Sequence, residues 1–116
     1  MDARTLGIIE LITQDCSQDL SLSKMARVVN LSPWRLCHVF KTDTCMSPIQ
    51  YVRWFRMQRA KELLETTFFS VKEVMNKVGG HDESHFVRDF EKAHGLSPRR
   101  YRSLHHCLST FVSKVG

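Results

Sequence analysis

Residues 38–53 read HVFKTDTCMSPIQYVR, and residues 88–102 read RDFEKAHGLSPRRYR. The second stretch repeats the first: at an offset of 50, Phe40 matches Phe90, Met46 matches Leu96, Ser47-Pro48 matches Ser97-Pro98, and Tyr51 matches Tyr101. Upstream the offset is 49, pairing Ser21-Leu22 with Ser70-Val71, Met25 with Val74, Val29 with Val78 and Asn30 with Gly79, so the second copy has one extra residue in its turn. Two copies are too few for a solenoid, and the chain reads as a duplicated supersecondary unit.

Each copy opens with a short amphipathic helix. Ser21 caps one carrying Leu22, Met25, Ala26 and Val29 on its inner face, and Ser70 caps one carrying Val71, Val74, Met75 and Val78. Turns follow at Asn30-Leu31 and Gly79-Gly80-His81, where Asn and Gly tolerate positive φ. A second helix then starts in each copy, with Ser32 as N-cap and Pro33 at N1 in the first, and Asp82 as N-cap followed by Glu83 in the second. Leu36, Val39 and Phe40 are its inward residues in copy one; Phe86, Phe90 and Ala93 are those in copy two. Helix, tight turn, helix, occurring twice, is the helix-turn-helix pattern.

The first unit covers about residues 21–42 and the second about residues 69–92. Between them Ser47 and Gln50 form a capping box ahead of Pro48, and no Gly or Pro interrupts the chain up to Thr66. A linker helix over residues 47–66 is predicted, ~30 Å long at 1.5 Å per residue. A helix from about Thr5 to Cys16, with Leu6, Ile9, Ile12 and Cys16 inward, precedes the first unit, and Pro98 starts another after the second. No segment alternates with period two, so the fold class is all-α, with about seven helices.

The remaining composition suits this reading. The 116 residues, 42% hydrophobic and 25% charged, are enough for about one small domain. Seventeen Lys and Arg against twelve Asp and Glu give a net charge of +5, which favours an anionic partner. Residues 1–46 are balanced in charge, so the whole surplus lies in the later residues. No run reaches the ~18–20 apolar residues of a membrane span, and the N-terminus lacks signal-peptide character, so a cytoplasmic location is expected. Cys16, Cys37, Cys45 and Cys107 are scattered without a C-x-x-C, which suits free thiols better than a zinc site or a disulfide framework. Neither a cofactor nor a metal is expected. With no Gly-rich phosphate loop, no paired carboxylates in an apolar setting and little room for a cleft, neither is an enzyme.

Successive major-groove windows on one face of B-DNA lie about 34 Å apart, close to the length of the linker helix. A monomer with two recognition helices could therefore read adjacent grooves. The outward residues of those helices suit base readout: Trp34, Arg35, Cys37 and His38 in the first, and Glu83, Ser84, His85 and Arg88 in the second. Arg bonds guanine bidentately, His and Ser donate or accept, Glu accepts from cytosine, and Trp34 suits a sugar or a thymine methyl. Phosphate contacts are expected from Ser32, Lys41, Ser47, Arg53, Lys92, Ser97, Arg99 and Arg100, with Arg102 close by in sequence.

The stretch LSPWRLCHVFKTDTCMSPIQYVRWFRMQRAKELLETT, followed by VGGHDESHFVRDFEKAHGLSPRRYR, resembles the AraC/XylS-type DNA-binding domain of bacterial transcription regulators. The likeness runs from about Leu6 to Ser103, within a domain of residues 5–103, and leaves residues 104–116 as a tail. RAKELL, VG-x(5)-HF-x-R-x-F and G-x-SP-x-x-Y, in this order, are jointly specific. The resemblance implies two helix-turn-helix units on double-stranded promoter DNA and contact with RNA polymerase. It places Trp34, Cys37, His38, Ser84, His85 and Arg88 at positions that meet bases.

Three departures from the family pattern stand out. Cys45 occupies a position where the family has Gly, which implies a strained left-handed residue. Gly80 replaces an aromatic that packs between helices, with Phe68 as the candidate to fill its place. Cys37 is weakly polar, which shifts readout in the first unit to Trp34, Arg35 and His38.

Met1 lies only a few residues ahead of the first helix, which leaves two readings open: a stand-alone regulator set by its abundance, or the C-terminal DNA-binding half of a longer ligand-sensing regulator. A metal or redox sensor built from His81, His85, His105, His106, Cys107 and the other thiols is a further alternative, against which these histidines read as turn and DNA-face residues. The tail residues Leu104, Leu108, Phe111, Val112 and Val115 have helical spacing and could dock on the domain or on a partner.

Overall fold

A computed structural model describes residues 1–106 of the chain. Seven helices occur among them: α1 (Ala3–Gln14), α2 (Leu22–Val28), α3 (Pro33–Thr44), α4 (Pro48–Thr66), α5 (Val71–Lys77), α6 (Glu83–His94) and α7 (Pro98–His105). The described residues contain no strand. They form two compact units divided inside α4, the first ending at Phe55 and the second beginning at Arg56.

Local signals start the helices. Ser21, Ser32, Ser70, Asp82 and Ser97 each accept a backbone N–H of the following first turn. The Ser47–Gln50 capping box is reciprocal, at 2.9 and 3.2 Å, and Ser70–Glu73 forms another. Asn30 and Gly79 turn the chain at φ 58° and 92°.

The repeat has a packing counterpart. Phe40 meets Tyr51 edge-on in the first unit, with centroids 5.5 Å apart and an interplanar angle of 81°; Phe90 meets Tyr101 at 5.6 Å and 75° in the second. Such edge-to-face pairs suit the opposed charge of ring face and edge. Each pair ties the second helix of a helix-turn-helix to the helix that follows it. Around them, Ile8, Ile12, Leu20, Met25, Ala26, Leu36 and Val52 complete the first core. Ala60, Leu63, Leu64, Val74, Met75, Val78 and Phe86 are buried in the second unit.

Several expected inward positions are corrected. Helix α1 begins at Ala3 and ends at Gln14, with Thr5, Ile8 and Ile12 buried, while Leu6 is 53% exposed. Thr5 can be buried because its hydroxyl donates to Asp43 Oδ2 at 2.7 Å; the same oxygen accepts the Asp2 N–H at 3.0 Å. These bonds hold the Asp43 carboxyl below the usual carboxylate range. Ala93 is exposed, and His94 packs inward instead, with its ring 4.6 Å from Phe90 and Nε2 donating to the Met57 carbonyl at 3.0 Å.

Phe68 does not stand in for a ring at position 80. It is 79% exposed and lies 5.1 Å from the His106 ring, whereas a Cβ on Gly80 would come within 2.6 Å of Met75 Cγ. The buried Met75 side chain has taken that space. His106 is neither a turn nor a DNA-face residue, because it is buried with Nε2 donating to the Thr67 carbonyl at 2.7 Å. Leu104 is exposed, and the other tail residues named above lie outside the described residues.

Cys45 is the C-cap of α3, in the left-handed region at φ 65° and ψ 9°, where the repeat has Gly95 at φ 81°. A side chain there crowds the backbone, whereas glycine does not. Cys45→Gly is therefore expected to stabilise the protein by about 0.5–1 kcal/mol, net of the greater freedom of glycine in the unfolded chain. Thermal unfolding checks this, and an unchanged or lower Tm counts against strain at Cys45.

Candidate nucleic-acid interface

Each unit presents the outer face of its second helix. In α3, Trp34, His38 and Lys41 recur at helical spacing and all are exposed, Trp34 by 73%. Arg35 lies about 100° round the helix from Trp34 and is exposed too, while Cys37 is half-buried. The Trp34 indole and His38 imidazole stack nearly parallel, with centroids 5.4 Å apart and planes at 8°. One turn of helix thus displays a flat double ring flanked by two cations.

In α6, Ser84, Arg88 and Lys92 share a face, with His85 beside it, and all four are exposed. Glu83 is exposed at the first helical position but turns about 100° away from Ser84, toward the side of the buried phenylalanines. His85 Nε2 approaches Asp89 Oδ2 at 3.2 Å, one turn along. Sequence reading passed over both the Trp34–His38 stack and Asp89, although the i,i+4 spacing of each pair is legible.

Charge divides the two helix starts. The first turn of α3 holds no acidic residue, whereas α6 opens with the cap Asp82 and then Glu83, which offset the positive end of its dipole. Positive charge in the second unit therefore sits further along, at Arg88 and Lys92 of α6 and Arg99 and Arg100 at the start of α7.

The serines predicted to touch phosphate are helix caps. The Ser32, Ser47 and Ser97 hydroxyl oxygens accept from the Arg35, Gln50 and Arg100 N–H at 3.1, 3.2 and 3.3 Å. Each keeps its hydroxyl proton for an outside acceptor. Lys41, Arg53, Lys92, Arg99 and Arg100 are exposed. Arg102 is not available in this way: its guanidinium turns inward, donating from Nε to the Leu64 carbonyl at 3.2 Å and from a terminal nitrogen to the Thr67 carbonyl at 3.3 Å. It satisfies carbonyls at the end of α4, and burial lowers its pKa.

Among the described residues, no three His, Cys, Asp or Glu side chains converge as a metal site would require, and no helix is long and apolar enough to cross a membrane.

Residues 25–103 match the family described as "Helix-turn-helix domain". The C-terminal domain of AraT, a response regulator from Geobacillus stearothermophilus, is 31% identical over 90% of this chain and 88% of its own, with a TM-score of 0.86. The chain belongs to the AraC-type helix-turn-helix family. It is also similar to the arabinose operon regulatory protein of Escherichia coli, at 32% identity over 104 residues, 89% of this chain and 36% of the relative. The DNA-binding domain of AdpA, a global transcriptional factor solved in complex with a target DNA, shares the fold at a TM-score of 0.84 and 22% identity, covering 89% of this chain and 93% of its own. This AraC-type chain spans about a third of the length of several curated relatives and 12% of another.

Proposed function

We propose that this chain is the sequence-specific DNA-binding part of a transcription regulator, acting through residues 5–103, with α3 and α6 each laid in a major groove. The observation that carries this reading is the duplicated unit itself. In both copies the same aromatic pair secures a capped helix, whose outer face bears groups suited to base edges. In the first unit these are Trp34, Arg35 and His38, with Cys37 at the margin; in the second they are Ser84, His85 and Arg88, with Glu83 nearest the cap. Lys41, Arg53, Lys92, Arg99 and Arg100 and the hydroxyls of Ser32, Ser47 and Ser97 hold phosphates.

Double-stranded promoter DNA is the partner in this reading, with RNA polymerase as a second one, and the site of action is the cytoplasm. One monomer, carrying two such helices, reads adjacent grooves. A second reading, in which this chain is the C-terminal DNA-binding half of a longer, ligand-sensing regulator, draws support from curated relatives of whose length it spans about a third.

Selection of bound DNA from a random pool tests the reading. A non-palindromic, bipartite consensus with halves about one helical turn apart is the expected result. No enrichment, or a palindrome bound only as a dimer in gel shifts, defeats it.

A further inference from the structure

We propose that Asp89 is a positioning residue that sets which base His85 accepts, an inference that rests on α6 lying in the groove. His85 stands in the first turn of α6, where its own backbone N–H is taken up by the Asp82 cap at 3.0 Å, and its side chain is 68% exposed. Its Nε2 is 3.2 Å from Asp89 Oδ2. An ionised carboxylate only accepts, so it favours the proton of a neutral imidazole on Nε2 and leaves Nδ1 bare.

A bare ring nitrogen needs a donor. In the major groove the donors are adenine N6 and cytosine N4, whereas guanine and thymine offer acceptors at O6, N7 and O4. His85 held by Asp89 thus selects adenine or cytosine at its position, and guanine or thymine there leaves two acceptors facing each other. His38 on α3 differs: it stacks nearly parallel on Trp34, and among the described residues no acidic side chain pairs with it to add to the intrinsic preference of its ring nitrogens. The two recognition helices carry histidines of different chemical character.

The pair is exposed and contributes little in the free protein, but exclusion of water in the groove strengthens it. An effect on base preference of about three- to tenfold follows.

The test compares the unaltered chain with Asp89→Ala, Asp89→Glu and His85→Ala at pH about 8.5. Competition binding to single-base variants of the selected site gives preference position by position, and nitrogen NMR of labelled histidine gives the tautomer. Asp89→Ala is expected to cut the preference for adenine or cytosine three- to tenfold at the one position that His85→Ala also relaxes, and to dilute the Nε2–H form. Asp89→Glu should restore much of both.

Removing a negative charge near phosphates also tightens binding to every sequence alike. If Asp89→Ala does only that, the proposal fails while groove reading by α6 stands. If His85→Ala and Arg88→Ala leave preference unchanged at every position, the docking of α6 fails as well.

Discussion

Raising the salt from about 50 to about 200 mM is expected to weaken binding to the selected promoter site several hundred-fold. Each cation seated on a phosphate releases condensed counterions, so the logarithm of affinity falls with the logarithm of salt at about −0.9 per contact. The five exposed cations assigned to phosphate, Lys41, Arg53, Lys92, Arg99 and Arg100, give a slope of about −4 to −5. The serine hydroxyls add contacts without adding slope, since they carry no charge. Replacing both Arg99 and Arg100 by Gln should flatten the slope by about 2 and weaken all sequences alike. Arg102→Gln should leave the slope unchanged, because that guanidinium is engaged by the Leu64 and Thr67 carbonyls. Fluorescence anisotropy across a salt series measures this, and a slope shallower than about −2 refutes the phosphate assignment.

Phe90→Ala is expected to destabilise the second unit by about 3–5 kcal/mol. The ring is fully buried and meets Phe86, His94 and Tyr101 at 6.2, 4.6 and 5.6 Å. Truncation removes its apolar burial and leaves a cavity that helices this short close only in part. So small a unit has little reserve, and such a loss consumes much of its stability. Hydrogen exchange should show protection lost across α5, α6 and α7. It should persist longer in α1, α2 and α3, whose core is built on Phe40. Phe68→Ala, on a 79% exposed side chain, should cost well under 1 kcal/mol. A Phe90→Ala loss below about 1 kcal/mol would show that the aromatic pair does not secure α6.

The readable part of the fold was the part carried by neighbours along the chain. Ser21, Ser32, Ser70, Asp82 and Ser97 cap helices because a side-chain oxygen reaches an N–H three residues on, whatever surrounds it. The equivalence of Phe40 with Phe90 and of Tyr51 with Tyr101 was visible because duplication wrote the same residues twice, but that each Phe meets its Tyr edge-on came only with the structure. The outward faces of α3 and α6 followed by subtraction of the apolar positions. That procedure names exposed residues but not their mutual contacts, and so it missed the Trp34–His38 stack and the Asp89 partner of His85.

What the sequence by itself determined is therefore the all-α class, the starts of α2 to α7, the doubled helix-turn-helix and most of the residues facing outward on α3 and α6. Tertiary structure alone decided which polar groups turn inward. Thr5 is buried because Asp43, 38 residues away, accepts its proton; His94 packs inward in place of Ala93, with its Nε2 donating to the Met57 carbonyl, 37 residues away. Arg102 and His106 leave the surface for carbonyls 35 to 39 residues back, at the end of α4 and in the turn beyond it. Composition reads each of these as a surface group. A buried hydrogen bond to a distant segment offsets the cost of taking a polar side chain out of water, and such partners come together only once the chain has folded.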